Sequence, residues 1–239
     1  MAGHSHWAGI KHKKERQDKL RSKIFSKISR EITVAAKLGS KNPEENHRLR
    51  AAIESAKVAN MPKDNINRAI SKSETDKNES FENLRYEGFG PKNVALIIET
   101  LTNNKNRTAG SIRTALQKFG GNLGGLGSTK HFFENCGIIQ ISRKNIPEEK
   151  ALDFAAKVGA KDCSSYKDFH EIVVKKEDFY KVKNESEKIT NNLIYSGIEW
   201  RPKNTVSLKK EETLELFSML ELLQEDDDVQ NVFHNCKFL

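Results

Sequence analysis

Residues 137–202 read GIIQISRKNIPEEKALDFAAKVGAKDCSSYKDFHEIVVKKEDFYKVKNESEKITNNLIYSGIEWRP. Short apolar runs rich in Ile, Val and Tyr at 138–142, 169–174 and 193–200 predict strands, and a further strand is expected near 161–166. Between them, 147–158 and 177–190 carry apolar residues at helical spacing. The order strand–helix–strand–strand–helix–strand is that of the split, ferredoxin-like βαββαβ unit, and Pro202 closes it.

Outward from this unit lie the pieces of a second one. Upstream, strands are expected at 84–87 and 94–101, a helix at 104–119, a Gly-rich loop at 120–127 and a strand at 130–134. Downstream come a helix at 210–223 and a strand at 229–236. These pieces complete an α/β domain only if the chain returns to it, which makes the middle unit an insertion. Further upstream, a long helix ends near Leu38 with Gly39 as its cap. Asn42-Pro43-Glu44-Glu45 reads as the start of a second helix. Pro62 opens a short third helix, and 71–80 reads as a linker. The predicted fold is α+β, an N-terminal three-helix bundle followed by two ferredoxin-like α/β domains, one inserted into the other. Residues 1–78 form the basic arm and helical domain, 79–135 with 203–239 the discontinuous domain, and 136–202 the insertion.

Charge is distributed unevenly over this plan. Residues 1–80 carry 18 basic and 10 acidic side chains, whereas 81–239 carry 23 of each, so the net charge of +8 sits in the N-terminal third. Core formation does not require such segregation, but it produces a field that attracts polyanions. On a helix, Leu20, Ile24, Ile28, Ile32 and Ala35 share an apolar arc widened by Phe25. Beside it, Arg16, Lys19, Lys23, Lys27 and Arg30 form a ridge without an interleaved acid. Residues 1–12, with two glycines, read as a mobile arm. His4, His6 and Trp7 are suited to stacking on unpaired bases, and Lys11, His12, Lys13 and Lys14 continue the positive charge. The candidate nucleic-acid-binding residues are therefore His4, His6, Trp7, Lys11, His12, Lys13, Lys14, Arg16, Lys19, Lys23, Lys27 and Arg30.

Other motifs point to less. The stretch FGGNLGGLGSTK at 119–130 lacks the Gly-Lys-Ser/Thr ending of a phosphate loop and follows a helix instead of a strand. The His4-x-His6 pair has no nearby ligand to complete a metal site. Cys163-Ser164-Ser165 has no His in its immediate sequence to activate it. The acidic run at 225–228 lacks the spacing of a calcium loop and reads as a solvated turn. Lys63, Asn65, Asn67 and Arg68 open the third helix as a recognition helix would, with Asp64 among them. Cys136, Cys163 and Cys236 form no CxxC pair or disulfide framework, which suits a reducing cytoplasm. No apolar run approaches the roughly 20 residues of a membrane span, and the N-terminal residues lack the apolar core of a secretory signal. The expectations are a monomer without cofactor or metal, without a small-molecule substrate and without enzymatic activity.

Several long segments, in order, resemble the YebC/PmpR family. They are AGHSHWAGIKHKK, KIFSKISREITVAAKLG, NPEENHRLRAAIESAKVANMPKDNINRAI, RYEGFGPKNVALIIE, NKNRTAGSIRTALQKFGGNLG and VQNVFHN. The resemblance implies a cytoplasmic, non-enzymatic protein of three domains, with the third inserted into the second. Bacterial members of that family are described as DNA-binding transcriptional regulators. Others, including a mitochondrial translational activator, look like ribosome-associated factors that ease synthesis of proline-rich stretches. The partner implied is therefore duplex DNA or, alternatively, ribosomal RNA on the ribosome. Two departures from the family pattern are Lys130-His131, where relatives are more apolar, and Leu126 in place of an acidic residue.

Overall fold

In the N-terminal helices, small side chains govern packing. A computed structural model describes residues 4–75, 80–190 and 193–237, with side chains of the first helix described from Arg21 onward. Helix α1 spans His4–Leu38, α2 His47–Val58 and α3 Lys63–Thr75. Their common core is Ile32, Ala35, Ala36, Leu49, Ala52, Ala56, Met61, Ile66 and Ala69. Five alanines among nine residues let the helix axes approach closely, while Ile32 and Leu49 are fully buried, each contributing about 1.5–3 kcal/mol. Phe25 and Ile28 extend this stripe, whereas Ile24 stays 49% exposed.

Three local expectations change. Helix α1 begins at His4, so the expected arm is helical backbone; Gly9 alone costs only about 1 kcal/mol in a run of good helix formers. Helix α3 runs to Thr75, five residues beyond the expected end at Ile70. The cap of α2 is Asn46, not Asn42: its Oδ1 accepts from the Leu49 amide at 3.0 Å. Its Nδ2 donates to the carbonyls of Ala35 at 2.8 Å and Ser40 at 2.7 Å. One side chain thus ends α1 and starts α2, leaving 42–45 as a turn. Gly39 is needed for space, because a Cβ there would stand 2.7 Å from Asn46 Nδ2.

The β-rich part contains β1 (Glu82–Phe89), β2 (Ala95–Thr102), α4 (Lys105–Lys118) and β3 (Asn122–Leu123). Next come β4 (Phe133–Ser142), α5 (Glu148–Lys157), β5 (Asp162–Ser165), β6 (Phe169–Lys175), α6 (Phe179–Ile189) and β7 (Leu193–Pro202). The chain continues with β8 (Val206–Ser207), α7 (Lys210–Glu225), β9 (Val229–His234) and β10 (Cys236–Lys237). One sheet has the order β5-β6-β4-β7. Numbered within its own unit, that is second, third, first, fourth, the ferredoxin-like arrangement. Strand β4 is one continuous strand where two were expected, and Lys130–Phe132 is a 3-10 turn instead of strand. Gly137 lies inside β4 because Phe179 and Val174 occupy the space of a side chain there. The core between this sheet and its helices is Ile139, Ile141, Phe154, Ala155, Ile172, Val174, Phe179 and Val182.

The other sheet has the order β3-β1-β2-β9. It repeats the same pattern when β2 counts as the first strand; β1, which precedes β2 in the chain, then fills the third place. β8 and β10 form a two-stranded parallel pair.

Two compact units result, residues 1–86, 98–119 and 216–232 in one and residues 87–97, 120–215 and 233–239 in the other.

Candidate nucleic-acid interface

The basic ridge and the acidic run at 225–228 lie in the same unit and face each other. Spacings of four and three along α1 bring Lys23, Lys27 and Arg30 onto one face. Lys23 Nζ donates to Asp227 Oδ1 at 2.7 Å and to the Glu225 carbonyl at 2.8 Å. Arg30 Nη1 lies 2.6 Å from Asp228 Oδ1, 2.9 Å from the Asp227 carbonyl and 3.1 Å from the Leu101 carbonyl. Lys27 has no such direct contact among the described residues. Burial, with the Lys23 ammonium beside it, holds the Lys27 amine below the usual lysine value, against the pull of Asp226 and Asp227.

Asp228 is the hub. It is only 4% exposed. Its Oδ2 accepts from Arg107 at 2.7 Å, Thr108 at 2.7 Å and Thr102 at 3.0 Å. Its amide donates to Asp226 Oδ1 at 2.9 Å, and its carbonyl accepts from the Leu101 amide at 2.8 Å. Burial pushes the carboxyl up, but the bonds from Arg107, Thr108, Arg30 and Thr102 outweigh it and hold Asp228 below the usual carboxylate value. The acidic run is therefore no solvated turn. Four donors from α1, β2 and α4 converge on it, and a charged acceptor inside such a cage is strongly held. Sequence reasoning missed Asp228, Arg107, Thr102 and Thr108. The available signal was position: Asp228 directly precedes the buried Val229, where a solvated acid is out of place.

The remaining candidates divide by position. His4, His6, Trp7, Lys11, His12, Lys13, Lys14, Arg16 and Lys19 lie on the N-terminal half of α1; their side chains lie outside the described residues. In the possible recognition helix, Arg68 bonds to the Asp64 carbonyl at 3.3 Å and Asn65 Oδ1 at 3.0 Å, both on its own helix. Ser165 does have a histidine partner: its Oγ is 2.8 Å from His170 Nδ1, opposite it in the β5–β6 ladder. His170 is fully buried, and its Nε2 lies 3.2 Å from the Ile146 carbonyl, so the pair ties the ladder to the loop before α5. Among the described residues no three His, Cys, Asp or Glu side chains are grouped to hold a metal. No helix there is long and apolar enough to cross a membrane.

Comparison with known proteins covers nearly the whole chain. The family model of the TACO1/YebC N-terminal domain matches residues 5–76, and that of the TACO1/YebC second and third domains matches residues 81–236. A probable transcriptional regulatory protein of Pelagibacter ubique is 52% identical over 238 residues, covering 100% of this chain and 99% of the relative. One from Zymomonas mobilis is 46% identical, covering 98% and 94%. The crystal structure of a conserved hypothetical protein from Aquifex aeolicus superposes with a TM-score of 0.81 at 43% identity, covering 98% of this chain and 97% of that one.

Proposed function

The chain belongs to the TACO1/YebC family, and on that premise we propose that it is a nucleic-acid-binding regulator of gene expression that binds duplex DNA. In this reading it acts in the cytoplasm as a monomer and carries out no covalent chemistry. The observation that carries the reading is the segregated charge: the whole excess of +8 lies in residues 1–80. Lys23 and Arg30 are committed to the 225–228 loop, so the phosphate-binding role passes to the half of α1 that precedes them. There Lys11, Lys13, Lys14, Arg16 and Lys19 outnumber Glu15 and Asp18. At 1.5 Å per residue, positions 4–20 extend over roughly 25 Å, enough to follow several phosphates. Such contacts give affinity without sequence information. Relatives named probable transcriptional regulatory proteins support the regulatory role.

One observation favours a second reading, a factor bound to ribosomal RNA. The polar residues that open α3 turn partly onto their own helix, as Arg68 does, which weakens base readout in a major groove. Gradient co-sedimentation with intact ribosomes, in the presence of excess promoter-length duplex DNA, separates the two. Transfer to the DNA supports the DNA-binding regulator. Retention on ribosomes despite the DNA overturns it in favour of the translation reading.

A further inference from the structure

A polar cleft of about 750 Å³ opens in the unit that holds α1 and the acidic loop. Its walls are α1 through Ser26 and Ser29, α3 through Asn65 and Arg68, the first turn of α4 through Arg107, and residues 226–228. The size is that of a small-ligand site. Three carboxylates line it, and each is already engaged: Asp228 by Arg30 and Arg107, Asp227 by Lys23, and Asp226 by Ser111 and the Asp228 amide. A cation would have to displace these donors.

The same cleft has donors to spare. The Arg68 guanidinium is exposed and meets only the two neutral acceptors of its own helix, with no carboxylate in salt-bridge range among the described residues. The hydroxyls of Ser26 and Ser29, one helical turn apart on α1, have no hydrogen-bond partner among the described residues. A planar guanidinium lining the same cleft as these two hydroxyls and the Asn65 amide makes a donor set for a tetrahedral oxyanion.

We propose that this cleft binds the phosphomonoester of a nucleotide, free or at the end of a strand. A monoester brings three terminal oxygens and a charge of about −1.5 to −2, enough acceptors for the Arg68, Ser26 and Ser29 donors together. A continuing diester offers only two non-bridging oxygens and a single charge, and so matches fewer of these donors. Phe81, half-buried in the lining with Arg30 5.5 Å from its ring centroid, is the aromatic surface against which the attached base packs. The site is distinct from the basic half of α1 and does not depend on what that half binds.

The test is calorimetric titration of the full chain with one hexanucleotide bearing a phosphate at the 5′ end, at the 3′ end or at neither, and with adenosine monophosphate. One phosphorylated form should bind about tenfold tighter than the unphosphorylated strand, the increment expected of one charge-assisted contact. Arg68→Gln should erase that difference without lowering the thermal midpoint, and Arg68→Lys should retain part of it. Binding of the mononucleotide alone identifies a free nucleotide as the phosphate source; binding of the strands only identifies a strand end. Reversal of Lys11, Lys13 and Lys14 to Glu should abolish duplex binding yet keep the phosphate preference. Equal affinity for all three strands with no mononucleotide binding, or a preference that survives Arg68→Gln, overturns the proposal.

Discussion

The guanidinium of Arg30 and the carboxylate of Asp228 meet at 2.6 Å across 198 residues of chain. Their side chains are 24% and 5% exposed, so the pair is shielded on the acid's side. Replacing Asp228 with Asn leaves Arg30 and Arg107 without their shared counter-charge. The expected loss is about 2–3 kcal/mol, below that of a fully enclosed pair because both arginines stay partly hydrated. Urea unfolding of Asp228→Asn, Arg30→Met and the double variant should give a coupling of about 1–3 kcal/mol. Strict additivity would mean that the two side chains do not stabilise one another.

The same carboxylate sets an acid limb. Asp228 titrates below its ordinary value in the folded chain, so the unfolded chain takes up the proton first. Its contribution is complete above the unfolded carboxyl value of about 3.9 and fades as pH falls through the folded value below it. The wild-type chain should therefore lose stability more steeply than Asp228→Asn below about pH 4. Thermal midpoints measured from pH 7 to pH 3 check this; parallel curves would exclude Asp228 as the cause.

Charge reversal should act differently on the two halves of α1. Lys23→Glu sets a carboxylate against Asp227, now 2.7 Å from the ammonium, and should cost about 1 kcal/mol at this half-exposed site. Reversal of Lys11, Lys13 and Lys14 should change stability by no more than about 0.5 kcal/mol and remove DNA binding. Five or more phosphate contacts also imply a log–log salt slope of about −4 or steeper on duplex DNA. Anisotropy titrations at several salt concentrations, beside thermal melts, read both effects; a flat salt response contradicts the electrostatic account.

In the βαββαβ unit, Gly137→Ala should destabilise by about 1–3 kcal/mol through overpacking. The added Cβ would stand 2.6 Å from Phe179 Cδ2 and 2.8 Å from Val174 Cγ2. Pairing with Phe179→Leu should restore part of the loss, which denaturant titration of the two variants would show.

Periodicity made most of the βαββαβ unit legible, because its helices and the strands other than β5 have a local apolar signature. The helix expected at 104–119 is α4, one residue shorter at each end, with Asn104 as its cap through a bond to the Arg107 amide. Features that depend on distant partners were not legible. The Asn-Cys-Gly step at 135–137 looks like a break until Phe179 is seen filling the place of a side chain. Asn42 and Asn46 are equal as caps until α1 supplies Asn46 with two carbonyls. Asp228 reads as a solvated acid because its donors come from positions 30, 102, 107 and 108. The positive charge of α1 was plain in the sequence, but not which lysines the chain neutralises itself.

The permuted order of the outer sheet has a consequence for synthesis. By residue 202 the growing chain holds all four strands and both helices of the βαββαβ unit. The sheet β3-β1-β2-β9 must wait for β9, and Arg30 must wait for Asp228, until the last tenth of the protein is made. The βαββαβ unit is therefore expected to mature first, before the sheet containing β9 is completed. Chains halted at residue 224 and probed by brief proteolysis should show 133–202 protected while β1, β2 and α4 are still cut.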